Sequence, residues 1–100
     1  MKIEITGREY RVDEKLKTLL LKKLKRLDKL FGPETPARLV LSQTTDEYIM
    51  EFTVFGEKTI RAEAVSKSMY DNIDILIPRV KRQFRKEHTR EIAARDSLPK

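Results

Sequence analysis

The sequence predicts a single α+β domain with the element order β-α-β-β-β-α. Two observations support this fold class: four short segments alternate apolar and polar residues, and two long segments repeat apolar residues every three or four positions. A third is the presence of turn residues, including glycine and proline, between these segments. Because both helical segments carry an apolar stripe, we expect a four-stranded mixed sheet with the two helices packed on one face.

The first strand and the first helix differ in their apolar period. Ile3 and Ile5 alternate with polar residues in KIEITG, and Gly7 ends this strand. One long helix is expected next, with Asp13 as its N-cap and Gly32, which a proline follows, at its far end. The apolar stripe of this helix advances by four, four, three and four residues, at Leu16, Leu20, Leu24, Leu27 and Phe31.

Three strand-like segments follow the proline-rich loop GPETPAR. The segments RLVLSQT, EYIMEFTVF and KTIRAEAV are separated by the polar turns TTDE and FGEK, which predicts an antiparallel meander. The first helix would cross over between the first two strands and make them parallel. The residues expected on the core face are Leu39, Leu41, Tyr48, Met50, Phe52, Val54, Ile60, Ala62 and Ala64.

The second helix begins near SMYDNID and continues through Val80 and Phe84. Pro78 lies in its middle, where a proline removes one helical hydrogen bond and crowds the carbonyl of Asp74, at a cost of ~3 kcal/mol in a regular helix. We therefore expect a kink or a break at this proline. The predicted domain covers residues 1–95, and residues 96–100 are expected to form a frayed tail.

Positive charge is concentrated in the two outer thirds of the chain. The formal net charge is +6, composed of +5 in residues 1–33, −3 in residues 34–66 and +4 in residues 67–100. Solubility alone does not require such segregation, whereas a binding surface for a polyanion does.

Several classes of function find no support in the sequence. The chain has no cysteine, which excludes disulfides and thiolate metal sites. No apolar secretory segment opens it, and no apolar run approaches the ~18 residues of a membrane span. The single histidine, His88, and the three glycines offer neither a catalytic constellation nor a phosphate-cradling loop. We expect a cytoplasmic protein that is not an enzyme and has no cofactor, metal, small-molecule substrate or membrane partner.

Basic residues form a face of their own on each predicted helix. On the second helix they are spaced three, four and four residues apart, so they form one row, from which Lys81 and Arg85 turn away as expected ordinary surface. Like charges at this spacing repel one another, and an anionic partner such as phosphate would offset the repulsion. The arc on the first helix contains Lys15, Lys22, Lys25, Arg26 and Lys29, and the row on the second contains Arg79, Arg82, Lys86 and Arg90.

The sequence resembles the bacterial ribosome hibernation-promoting factors, also called protein Y or ribosome-associated inhibitor. MKIEITGREYRVDEKLKTLLLKKLKRLDKLF resembles the opening of that family, and IRAEA, MYDNID and RVKRQFRKE resemble its last strand and second helix. The resemblance implies the same β-α-β-β-β-α fold. It also implies binding to 16S ribosomal RNA of the small ribosomal subunit, in the cleft for messenger and A- and P-site transfer RNAs, and inhibition of translation in stressed cells. The positions that match the family's RNA-binding residues are Lys22, Lys25, Arg26, Lys29, Arg79, Arg82, Lys86 and Arg90.

Some questions stay open at the level of sequence. Pro78, Ser68, Asn72 and His88 depart from the family pattern. The chain matches either a short-form factor or the N-terminal domain of a long form, and a monomer is expected away from the ribosome. Two other functions compete with the first: a general double-stranded RNA-binding module, and a transcription modulator that binds proteins through its acidic sheet.

Overall fold

The computed structural model describes the backbone of residues 1–96 and the side chains of residues 1–87. Four strands form one sheet in the order β1-β2-β3-β4, with β1 parallel to β2 and the other neighbours antiparallel. Both the predicted fold class and the parallel crossover are confirmed. The elements are β1 (Lys2–Gly7), α1 (Glu14–Leu24), a 3₁₀ turn (Lys25–Leu27), α2 (Asp28–Phe31), β2 (Pro36–Gln43), β3 (Tyr48–Phe55), β4 (Thr59–Ser66) and α3 (Met69–Asp96).

A tight connection between β1 and α1 sets where the first helix begins. The Asp13 carboxylate accepts a hydrogen bond of 2.7 Å from the backbone N–H of Leu16, which confirms the predicted N-cap. Just before it, the chain passes very close to Gly7. A Cβ at Gly7 would lie only 1.9 Å from the carbonyl oxygen of Tyr10, so the loop requires glycine there.

The expectation of one uninterrupted first helix is wrong, because a 3₁₀ turn separates α1 from α2. Leu24 and Leu27 lie at this turn. Both are fully buried, three positions apart. A 3₁₀ turn, with 3.0 residues per turn, aligns side chains three apart, whereas a regular α-helix would spread them by ~60°. Gly32 then ends the helical segment in a positive-φ conformation (φ 86°).

The hydrophobic core lies between the sheet and the helices. Of the predicted core-facing strand residues, Tyr48 and Ala62 are half-buried and the others are buried. Each fully buried leucine contributes roughly 1.5–3 kcal/mol relative to an exposed one. The helices supply the opposite side of the core, through Leu16, Leu20, Leu24, Leu27, Met69, Ile73, Leu76, Ile77 and Val80.

Helix α3 is continuous through Pro78, so of the two expected outcomes the break is wrong and the kink stays a prediction. Ile77 and Val80 on either side of the proline are buried, and this packing holds both halves of the helix against the sheet. Pro78 itself is exposed. The carbonyl of Asp74, which loses its helical partner, lies on the solvent side of α3, where water can satisfy it.

A buried polar network fixes the rotation of α3 against the sheet. The side chain of Asn72 is 0% exposed. Its amide nitrogen donates to the carbonyl of Tyr48 on β3 at 3.0 Å, and its amide oxygen accepts from the Ser66 hydroxyl at the end of β4 at 2.7 Å. Because a buried amide without partners is costly, these bonds favour one rotation of the helix over others. This rotation decides which α3 residues face α1.

Candidate nucleic-acid interface

The basic residues predicted on the first helical segment all reach solvent. They follow the apolar stripe that packs on the sheet, so they project from the outer side of α1, the 3₁₀ turn and α2. No ion pair engages them within the described side chains. Their full charge is therefore available to a partner. The exposed residues are Lys22, Lys25, Arg26 and Lys29.

Two contacts define how α3 lies beside the first helical segment. The Nζ atom of Lys23 is 2.8 Å from Oδ1 of Asp74 and joins α1 to α3. Further along both helices, the rings of Phe31 and Phe84 meet edge to face with centroids 5.1 Å apart. The helices therefore run in the same direction with a groove between them. Lys23 lies at the margin of the apolar stripe, and its partner on α3 explains why the lysine points that way.

The predicted basic row on α3 lies mainly on the other flank of that helix. Arg79, Arg82 and Lys86 are exposed. The Nη1 atom of Arg79 donates to the backbone carbonyl of Glu63 at 2.7 Å, which directs this arginine toward the free edge of β4. The side chain of Arg90 lies outside the described residues, as does that of His88. The structure thus places the described part of the row together but turns its first member away from α1.

Lys81 and Arg85 occupy the flank of α3 that faces α1. They follow Asp74 by seven and eleven residues, which are close to two and three full helical turns, so all three side chains lie along one line. Because Asp74 contacts Lys23, that line borders the groove. The two residues do turn away from the predicted row, and their interpretation as ordinary surface, which took no account of the neighbouring helix, stays a prediction. A helical wheel of α3 alone contains no information on where α1 lies.

The open face of the sheet offers no comparable basic surface. Glu51 on β3 lies directly opposite Glu63 on β4, and Arg61 precedes Glu63 by two residues on the same face. Arg38 lies over the ring of the exposed Phe55, with its Cζ atom 5.8 Å from the ring centroid. This face therefore mixes both signs of charge, and a polyanion would favour the helical face.

The described residues show neither a metal centre nor a membrane helix. No group of three or more histidine, aspartate or glutamate side chains within them is placed to hold a metal ion. None of the helices in this part of the chain combines the length and apolar character that crossing a bilayer requires.

Residues 3–91 match the family model for Sigma 54 modulation protein / S30EA ribosomal protein. The chain belongs to this family. The match covers the sheet, α1, α2 and most of α3, which are the elements that position the basic faces. The resemblance inferred from the sequence is confirmed at the level of the family.

The chain is also similar to known proteins in sequence and in fold. The ribosome hibernation promotion factor of Lactococcus lactis subsp. cremoris (strain MG1363) is 33% identical over 94 residues, which are 90% of this chain and 51% of that protein. The chain thus spans about half the length of this curated relative. A ribosomal subunit interface protein from Coxiella burnetii has a similar structure, with a TM-score of 0.78 and 26% identity over 89% of this chain and 99% of that one. The N-terminal domain of Thermus thermophilus Protein Y is also similar in structure, with a TM-score of 0.76. It is 27% identical over 86% of this chain and 98% of that one.

Proposed function

We propose that this family member is a ribosome hibernation factor. It binds 16S ribosomal RNA in the cleft of the small subunit that receives messenger RNA and the A- and P-site transfer RNAs, and so inhibits translation. The observation that supports this function best is the presence of exposed, single-sign basic faces on helices that share one side of the sheet. The names of similar proteins, a ribosome hibernation promotion factor and a ribosomal subunit interface protein, support the ribosome as the partner.

The proposed contacts are electrostatic and depend on shape. Lysine and arginine side chains on rigid helices contact phosphates at fixed spacings and read backbone geometry instead of base sequence. The factor acts by occupying the cleft, in the cytoplasm, and requires no cofactor, metal or small-molecule substrate. The residues proposed to contact RNA are Lys22, Lys25, Arg26, Lys29, Arg79, Arg82, Lys86 and Arg90.

Co-sedimentation with purified small ribosomal subunits tests this proposal. Binding should weaken steeply as salt rises, because every phosphate contact releases counterions. Free duplex RNA should compete poorly, and subunits preloaded with messenger and transfer RNA should bind less protein. If any duplex competes as well as the subunit, the chain is a general double-stranded RNA-binding module. If nothing sediments at low salt, RNA is not its partner.

A double variant with two reversed charges tests whether the helical face binds RNA. Replacing the exposed Arg82 and Lys86, as Arg82→Glu with Lys86→Glu, should abolish co-sedimentation and leave the fold intact. The matched control, Lys17→Glu with Lys67→Glu, changes the net charge equally at exposed positions outside the proposed contacts and should retain most of the binding.

A further inference from the structure

One wall of the groove between the helices carries positive charge from α3. Lys81 and Arg85 lie on the same flank of α3 as Asp74, which contacts Lys23 of α1. Lys81 is half-buried and Arg85 is exposed. A half-buried lysine keeps its aliphatic stem against the protein and its ammonium group in water, so fewer rotamers must be lost when it binds an anion.

The opposite wall carries positive charge from the first helical segment. Arg26 follows Lys23 by three residues and therefore lies near the flank that meets α3. The 3₁₀ turn at Lys25–Leu27 advances by ~120° per residue instead of ~100°, and it brings Lys29 toward the same line as Arg26. The sequence did not predict this turn, which changes the direction of Lys29 relative to Arg26.

The geometry points to Lys81 and Arg85 as further RNA-contacting residues, on the wall of this groove that α3 forms. The inference rests on the proposed function and adds two contact residues to it. A phosphate held between the walls lies close to cations from two elements. Arg79 lies on the far flank of a helix about 10–12 Å across, so it would contact a different phosphate of the same RNA. Its hydrogen bond to Glu63 suits a role in holding α3 to β4.

Within the part of the chain whose side chains the structure describes, neither Lys81 nor Arg85 takes part in the ion pairs that join Met1 to Asp28, Lys2 to Glu34 and Lys23 to Asp74. Asp74 is therefore already neutralised by Lys23 at the head of the groove. The groove below it presents cations whose repulsion a phosphate backbone would relieve.

The test measures the affinity of the full chain for purified small ribosomal subunits across a salt series. The double variant Lys81→Gln with Arg85→Gln should bind at least about tenfold more weakly, because two charge-assisted contacts are lost. The slope of its log affinity against log salt concentration should be smaller in magnitude by roughly one to two, about one for each phosphate contact removed. The charge-conserving variant Lys81→Arg with Arg85→Lys should bind nearly as well as the unaltered protein.

The matched control is Lys17→Gln with Lys67→Gln, which lowers the net charge by the same amount at exposed positions away from the groove. It should retain the original salt slope. Equal losses in the two neutralised variants would overturn the inference, because net charge alone would then explain them. Unchanged affinity and slope in the groove variant would also overturn it while leaving the proposed function standing. Failure of the unaltered protein to bind subunits would refute the proposed function and this inference with it. Circular dichroism and thermal unfolding verify that each variant is folded.

Discussion

Lys23 and Asp74 form a bridge between α1 and α3, with 2.8 Å between Nζ and Oδ1. They are 51 positions apart in the chain, and their contact shows which flank of each helix borders the groove. The lysine side chain is 26% exposed and the aspartate 62%. A pair this open to solvent stabilises the fold only weakly, so its main consequence is the arrangement of charge around it.

The first prediction concerns this pair. Asp74→Asn should change the free energy of unfolding by less than about 1 kcal/mol, measured by urea denaturation, because the pair is solvent-screened. The same substitution should strengthen binding to small subunits about two- to fivefold, since it removes a negative charge and frees Lys23. Asp46→Asn, the same charge change at an exposed residue of the β2–β3 turn, should leave affinity almost unchanged. Weaker binding of Asp74→Asn would contradict the assignment of the groove.

A second prediction concerns the buried amide that orients α3. Asn72→Ala removes the donor to the Tyr48 carbonyl and the acceptor for the Ser66 hydroxyl. It should lower the free energy of unfolding by about 1–3 kcal/mol, because buried polar groups lose their partners. Gln83→Ala, at an exposed position of the same helix, should stay within about 0.5 kcal/mol of the unaltered protein. Equal effects in urea denaturation would show that the network does not stabilise the helix.

The glycines provide a third prediction with an internal control. Gly7→Ala places a methyl group 1.9 Å from the carbonyl oxygen of Tyr10, which is backbone and cannot move aside cheaply. It should destabilise the fold by at least about 1–3 kcal/mol. At Gly56 the nearest atoms to an added Cβ are 3.7 Å away, so Gly56→Ala should be close to neutral. The melting temperatures of the Gly7→Ala and Gly56→Ala variants, measured under the same conditions, test this prediction.

Pro78 supports a fourth prediction. Pro78→Ala should raise the free energy of unfolding by about 1–3 kcal/mol, because it restores a helical hydrogen bond to the Asp74 carbonyl, and the added freedom of the unfolded chain offsets part of this gain. Its side chain is exposed, so the substitution leaves no cavity. Pro33→Ala, at an exposed loop position, lacks the helical gain and should not stabilise. A loss of stability in Pro78→Ala would mean that α3 requires the proline.

The fifth prediction is a pH dependence. Burial raises the pKa of the Tyr10 hydroxyl above its ordinary value of 10.0, and repulsion from Tyr48, Asp13 and Tyr70 adds to the effect. The folded state thus keeps a proton that the unfolded state loses near pH 10. The resulting stability is present below that pH and is lost as pH rises through the raised pKa. Tyr10→Phe should therefore lose stability less steeply above pH 10 in urea titrations. Parallel losses in both proteins would exclude this cause.

Local pattern was sufficient for most of the architecture. The alternation of Leu39 with Leu41 and of Met50 with Phe52 identified two strands and their core faces, because side chains in a strand point to opposite sides with a period of two. Asp13 marked the start of α1, since a carboxylate at that position satisfies an N–H that the helix leaves unpaired. The parallel crossover followed from the element order alone.

The details that the sequence did not predict all depend on packing between elements. The 3₁₀ turn brings Leu24 and Leu27 into one core, and the core in turn holds α3 continuous across Pro78. Neither outcome can be derived from local propensity, because the cost of an irregular helix is local while the burial that offsets it involves distant residues.

The sequence by itself determined the strands, the helices, the core and the concentration of positive charge on two helical segments. Tertiary structure alone decided which of those charges face one another. A helical wheel gives directions within one helix, whereas Asn72 sets the rotation of α3 relative to its neighbours, and the contact of Lys23 with Asp74 shows which flank of α3 faces α1. That rotation turns Arg79 to the edge of β4 and places Lys81 and Arg85 beside the first helical segment.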